Sequence, residues 1–266
     1  MANNLIIAMW SGPRNLSTAL MRSIGNRKDV SKVLDEPFYA SYLVNSNKDH
    51  PMRDEVIKSQ STDLDEVKNL CQKHDTGITY QKHMTQHIID LDFKWMDKLK
   101  NCFLIRNPKM VVKSFMKSWE EGDFEDIGFN QQYEIYKYIT NNVDENPLIL
   151  DATKIRNNPK QVLGKFCDAI EIPWDDNMLK WKTGIKDYDG VWAPHWYPSV
   201  LKSNSFNPET NAEIKLSDNE KRIVEKAMPI YEELLSKSIY SDFSVSSIFS
   251  LNRIFLRLIL SLRGII

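Results

Sequence analysis

Cysteine is scarce in this chain: Cys71, Cys102 and Cys167 are the three among 266 residues, they stand far apart, and no two form a CxxC pair. That excludes a disulfide framework and a cysteine-built zinc site, and it indicates a reduced, cytoplasmic setting. Net charge is lacking too. Lysine and arginine number 35 against 36 aspartates and glutamates, a formal charge of -1, so the overall balance gives no affinity for nucleic acid. No Pro/Gly/Ser-rich linker, low-complexity tract or internal repeat divides the sequence, and its length suits one large α/β domain better than two. Long uninterrupted apolar runs are absent as well. The N-terminal MANNLIIAMWSGP has no basic n-region and too short an apolar run for a signal peptide. Arg253, Arg257 and Arg263 cut SSIFSLNRIFLRLILSLRGII short of the ~20 apolar residues that span a bilayer. Residues 244–266 therefore read as a C-terminal amphipathic helix. It either packs on the domain or a second subunit, which would make a homo-oligomer, or lies peripherally on a membrane surface.

What is present is a series of short apolar segments: Leu5–Trp10, Ser31–Leu34, Ile78–Gln81, Cys102–Ile105 and Leu148–Leu150. Helix-like stretches such as LDEVKNLCQKHD and VVKSFMKSWEE separate them and are long enough to be crossovers. The expectation is an α/β fold, a P-loop-like three-layer α/β/α arrangement around a mostly parallel five-stranded sheet, over residues 1–243. Ligands of such sheets bind beyond the carboxyl ends of the strands, so the residues that follow each strand carry the functional question.

After the first strand comes SGPRNLSTAL. Strand, small-residue turn and helix together aim helix N-terminal N–H groups at a phosphate-like anion, with the Arg14 guanidinium beside them. Gly12 supplies the first glycine of a Walker A loop, but Ser17, Thr18 and Ala19 stand where that loop requires Gly-Lys-Ser/Thr. After the fourth strand, FLIRNPKMVVKSF ends the strand on Arg106, starts a helix at Pro108 and places Ser114 eight residues past the arginine.

The RNPKxVxxS spacing resembles the 3′-phosphate-binding motif of sulfotransferases that use 3′-phosphoadenosine 5′-phosphosulfate (PAPS). GPRNLST resembles the 5′-phosphosulfate loop of the same family, with Arg14 in the place usually held by Lys or Arg and Leu16 where the family carries glycine. LILDATKIRNNPKQVLGKFCDAI is similar to the family's segment after the fifth strand, so the resemblance covers residues 4–173. It implies PAPS as donor, held at the 5′ end by Gly12, Pro13, Arg14, Asn15, Leu16, Ser17 and Thr18, and at the 3′-phosphate by Arg106 and Ser114, with no metal. A sulfuryl group carries less charge than a phosphoryl group, so N–H donors and one or two cations suffice for its transition state. A P-loop kinase instead needs a lysine and a Mg²⁺-holding Ser/Thr, both missing here.

The reaction also needs a base for the acceptor proton. VLDEPFYASYL places Asp35 and Glu36 after the second strand, where the Glu-Pro pair resembles that of the family's carbohydrate-modifying branch. ITYQKHM places Lys82 and His83 after the third, near the Lys-Thr-His of its cytosolic branch but with the histidine one residue closer. Glu36 is the preferred base, Lys82 the group beside the transferring sulfuryl, and His83 the alternative base. Residues 174–206 are aromatic and weakly periodic, holding Trp181, Trp192, His195 and Trp196, and read either as an acceptor loop or as a plug on the core edge. The expected activity is sulfuryl transfer to a hydroxyl of a small molecule, sugar or lipid. The rivals are a divergent kinase using ATP and Mg²⁺ and a non-catalytic nucleotide-binding module.

Overall fold

Five parallel strands form the sheet: β1 (Leu5–Ser11), β2 (Val30–Asp35), β3 (Ile78–Met84), β4 (Lys100–Ile105) and β5 (Leu148–Asp151), in the order β2-β3-β1-β4-β5. The computed structural model describes residues 4–89, 92–119, 122–209 and 214–239; the expected C-terminal helix at 244–266 lies outside the described residues. Each expected strand is present, extended where the ladder continues past the apolar run, as at Lys82–Met84.

Successive strand residues face opposite sides, and both sides of a parallel sheet must be covered. On β1, Ile7 and Met9 join α1 (Ser17–Gly25), α2 (Tyr39–Ser46), α3 (Arg53–Ser59), α7 (Ala152–Asn157) and α8 (Pro159–Ala169) in one core layer, with α10 (Pro198–Leu201) packed against it. Ile6, Ala8 and Trp10 join α4 (Leu64–Gln72), α5 (Pro108–Phe115), α6 (Phe129–Asn142) and α11 (Asp218–Ser236) in the other. The result is the three-layer α/β/α arrangement expected from the sequence.

The strand order sets the site. From β1 the chain crosses first to β2 and β3 on one side and then to β4 and β5 on the other, so the connections diverge around β1. Along the carboxyl edge this lines up, in spatial order, Asp35 at the end of β2 with Glu36 just past it, Lys82 in β3, the Gly12–Leu16 turn after β1, Arg106 after β4, and Thr153 just past β5.

Candidate active site

The β1–α1 turn is shaped for an anion. Arg14 and Leu16 adopt positive φ, 62° and 72°. Leu16 thus takes the left-handed conformation that glycine adopts freely, which is how this turn closes without the family's glycine. Gly12 is required for a different reason: a Cβ there would stand 2.3 Å from the Ile127 carbonyl oxygen. Among the described residues no side chain caps the N-terminus of α1, and no acidic residue lies in its first turn. Its leading N–H groups therefore keep their partial positive charge for a ligand. Two buried acceptor-capable groups here, Ser11 Oγ at the end of β1 and Asn15 Oδ1 in the turn, have no hydrogen-bond partner among the described residues.

Arg106 closes the turn from β4. Its Nη1 donates to the Arg14 carbonyl at 2.8 Å, and its Nη2 pairs with Glu209. Arg14 itself reaches over to the Ser118 hydroxyl. On α7, Arg156 donates from Nη1 to the Asn207 carbonyl at 2.9 Å. Burial first and then the charge of Arg106 push the pKa of both Arg14 and Arg156 down, so three guanidiniums share a confined region. Ser114 stands half-buried in α5, in the helix that Pro108 begins and Asn107 caps by accepting from the Lys109 N–H.

The second half of the site is a buried charge cluster. Lys82 Nζ donates to Asp35 Oδ1 at 3.0 Å, to the Tyr197 hydroxyl at 2.8 Å and to Glu36. Its three N–H groups are thereby all used. The Tyr197 hydroxyl also accepts from Trp192 Nε1 at 2.8 Å and lies 2.9 Å from Asp35 and 3.0 Å from Glu36 Oε1. Gly190 N–H adds a bond to Asp35 Oδ2 at 3.2 Å. One ammonium thus faces two carboxylates. Burial lowers the Lys82 pKa on its own, but the two carboxylates override it and the net direction is up. Burial raises the Glu36 pKa, and Lys82 only partly offsets this while Asp35 adds to it. The backbone of Glu36 is held at φ 46° by bonds from Glu36 N–H to the Lys82 carbonyl and from Gln60 Nε2 to the Glu36 carbonyl. A non-glycine residue fixed there costs ~1–3 kcal/mol, which the surrounding contacts offset.

Lys82 and His83 are consecutive in a strand and so point to opposite faces. Lys82 joins the carboxylates, whereas His83 stacks on Trp10 with ring centroids 4.3 Å apart and bonds to Gln81 Oε1 at 2.9 Å. Burial and the Lys82 charge push its pKa down to about 3. The structure therefore does not bring His83 together with Glu36 and Lys82. A different histidine does approach: His87, sandwiched between Tyr39 and Tyr42 at 4.6 and 4.7 Å, sets Nδ1 4.0 Å from Glu36 Oε2.

Part of the aromatic segment 174–206 forms the plug on the core edge that the sequence allowed. Trp181 and Trp192 are buried in the core layer of α1, and a bidentate pair between Arg22 and Asp189, with side-chain exposures of 0% and 1%, fastens the segment to α1. From there α9 (Ala193–Trp196) carries the chain to Tyr197 and the charge cluster, while His195 stays exposed, edge-on to Trp196. A cavity of about 430 Å³, lined in part by Asp35, Gln60, Tyr188, Gly190, Val191 and Trp192, adjoins the cluster on its Asp35 side.

The family described as Sulfotransferase domain matches residues 5–238. The chain belongs to that sulfotransferase family. Two Arabidopsis thaliana proteins are similar to it: branched-chain-amino-acid aminotransferase-like protein 1, 34% identical over 250 residues, covering 93% of this chain and 44% of the relative, and protein 2, 32% identical over 232 residues, covering 86% and 41%. The chain thus spans less than half the length of these relatives. In architecture it resembles the sulfotransferase domain from the curacin biosynthetic pathway, with a TM-score of 0.51 at 15% identity over 86% of this chain and 99% of that one.

No motif in the sequence singles out Tyr197, His87, Thr153, Arg156 or Glu209, which complete or adjoin these clusters. Tyr197 reaches Lys82 across 115 positions and Glu209 reaches Arg106 across 103, so no local spacing announces them. Lys82→Met should strand Asp35 and Glu36 without their cation and destabilise the fold by about 3–5 kcal/mol near neutral pH. That loss should shrink on acidification, as Glu36 takes up a proton and no longer needs a counter-charge. Denaturant unfolding of wild type and variant at neutral and acid pH checks both statements.

Proposed function

We propose that this chain transfers a sulfuryl group from PAPS to a hydroxyl of a small molecule, sugar or lipid. The observation that carries the reading is the row of groups along the carboxyl edge: a high-pKa carboxylate and its lysine at one end, an uncapped helix N-terminus and Arg14 in the middle, and a guanidinium cluster at the other. A donor with a transferable group at its 5′ end and a further phosphate at its 3′ end would use the last two of these together.

In this reading the N–H groups of Ser17 and Thr18, with Asn15 and Arg14, hold the phosphosulfate, and Arg106 and Ser114 hold the 3′-phosphate. Glu36 takes the acceptor proton as the acceptor oxygen bonds to sulfur and the sulfur–oxygen bond to the 5′-phosphate breaks, releasing adenosine 3′,5′-bisphosphate. Burial makes Glu36 a stronger base than an ordinary surface carboxylate, as the task requires. Lys82 keeps Glu36 in place, while Arg14 and the helix N-terminus stabilise charge leaving with the phosphate. The adjoining cavity of about 430 Å³ falls in the size range of small-molecule sites and is the proposed room for the acceptor. The expected domain division, an active domain ending at residue 243 with 174–206 as its acceptor loop, is part of the same proposal.

The test is incubation with PAPS and pooled hydroxylated acceptors in a chelator, followed by mass spectrometry. Acceptor-dependent release of adenosine 3′,5′-bisphosphate, with the mass of one SO₃ added to an acceptor, is the expected result. Transfer seen only from ATP with Mg²⁺ would overturn it in favour of a kinase.

A further inference from the structure

The guanidinium cluster already contains an anion of the protein's own. Glu209 places Oε1 on Arg106 Nη2 and Oε2 on the Thr153 hydroxyl, the latter at 2.5 Å. Two residues earlier, the Asn207 carbonyl takes the Arg156 Nη1 bond. The short run Asn207, Pro208 and Glu209 thus lies across both arginines as a strap, with the Glu209 side chain only 10% exposed. Burial works against the charged carboxylate, yet Thr153, Arg106 and Arg156 together hold its pKa below the usual range, so the strap is anionic at neutral pH.

The fit of that carboxylate is incomplete. Arg106 is 9% exposed, and its Nε–H, like that of Arg156, is buried with no acceptor among the described residues. A guanidinium presents Nε and one Nη side by side as a fork for two oxygens of one anion. Glu209 engages the Arg106 fork through Nη2 alone and spends its second oxygen on Thr153. A phosphate has three oxygens and a greater charge, and can take both prongs of the Arg106 fork and the Thr153 hydroxyl, with Arg156 beside it.

We propose that Glu209 is a built-in competitor for the donor's 3′-phosphate, and that Thr153 and Arg156 join Arg106 in holding that phosphate once the strap gives way. The inference rests on the PAPS reading above. Its consequence is that apparent affinity for the nucleotide is reduced by the fraction of molecules with the strap in place, for donor and for bisphosphate product alike. Product release is then assisted by a side chain that re-enters the site as the phosphate leaves.

Glu209→Gln keeps the shape and the Thr153 bond while removing the charge. Calorimetric titration of wild type, E209Q and R156A with adenosine 3′,5′-bisphosphate and with 5′-AMP tests the proposal. E209Q should bind the bisphosphate about tenfold more tightly than wild type and 5′-AMP unchanged, while R156A should bind the bisphosphate about tenfold more weakly, because a bond to a charged group is lost. If wild type and E209Q both prefer the bisphosphate strongly over 5′-AMP, yet E209Q binds it equally or more weakly than wild type, the competitor role is overturned and the donor reading stands. If neither protein prefers the bisphosphate over 5′-AMP, the donor reading falls and this inference with it.

Discussion

Arg106→Ala is expected to cost about a hundredfold in affinity for adenosine 3′,5′-bisphosphate and a smaller factor for 5′-AMP. The side chain would give the 3′-phosphate two charge-assisted bonds, each worth about 1.5–3 kcal/mol where the donor is ionised, and the lower end of that range for both already amounts to two orders of magnitude. It also holds the Arg14 carbonyl at 2.8 Å, so its removal loosens the turn that faces the 5′ end. Arg106→Lys separates these effects: a point charge without the fork should recover part of the affinity but not its selectivity for the 3′-phosphate. A calorimetric titration in which Arg106→Ala binds the bisphosphate within a factor of two of wild type would remove Arg106 from the donor site.

Glu36→Gln is expected to lower turnover by about 10²–10⁴-fold, the usual contribution of a positioned base, while leaving bisphosphate affinity unchanged. The amide keeps an oxygen for Lys82 and Tyr197, so the buried cluster retains its shape, and Glu36 makes no bond to Arg14, Arg106 or Arg156 among the described residues. In wild type, turnover should fall as pH drops through the Glu36 pKa, because only the carboxylate form accepts the acceptor proton. Burial raises that pKa, so the acid limb should lie above the ordinary carboxylate range. The variant should lose this limb. Retention of wild-type turnover and of the same acid limb by Glu36→Gln would assign the base elsewhere, with the His87 imidazole, 4.0 Å from Glu36, as the candidate to test next.

The parts of this molecule that could be read from sequence are those whose chemistry is local. A buried parallel strand is a short apolar run between polar crossovers, and the runs at 5–10, 102–105 and 148–150 lie within the observed strands. The β1–α1 turn and the Arg106–Pro108 junction were legible because strand, turn and helix follow one another within a dozen residues. That Lys82 and His83 point differently is legible from their adjacency in a strand, but which neighbour meets the carboxylates and which meets Trp10 is set only by the pleat of β3. Tyr197 and Glu209 were illegible for the opposite reason. Each completes a polar group more than 100 positions away, at |i−j| of 115 and 103, through a chain path that only the packed structure defines. Leu16 shows a subtler limit: a leucine at φ 72° leaves no compositional trace of a turn that glycine would have announced.

The central claim is that this carboxyl edge recognises a nucleotide through a 3′-phosphate and without a metal. The measurement that addresses it most directly is a metal-free calorimetric titration of the wild-type chain with adenosine 3′,5′-bisphosphate, set beside 5′-AMP and beside ATP with Mg²⁺. The expected result is saturable binding of the bisphosphate, at least tenfold tighter than that of 5′-AMP, since a site built on charge-assisted bonds to one phosphate loses them when that phosphate is absent. Binding confined to ATP with Mg²⁺, or equal binding of the bisphosphate and 5′-AMP, would contradict it.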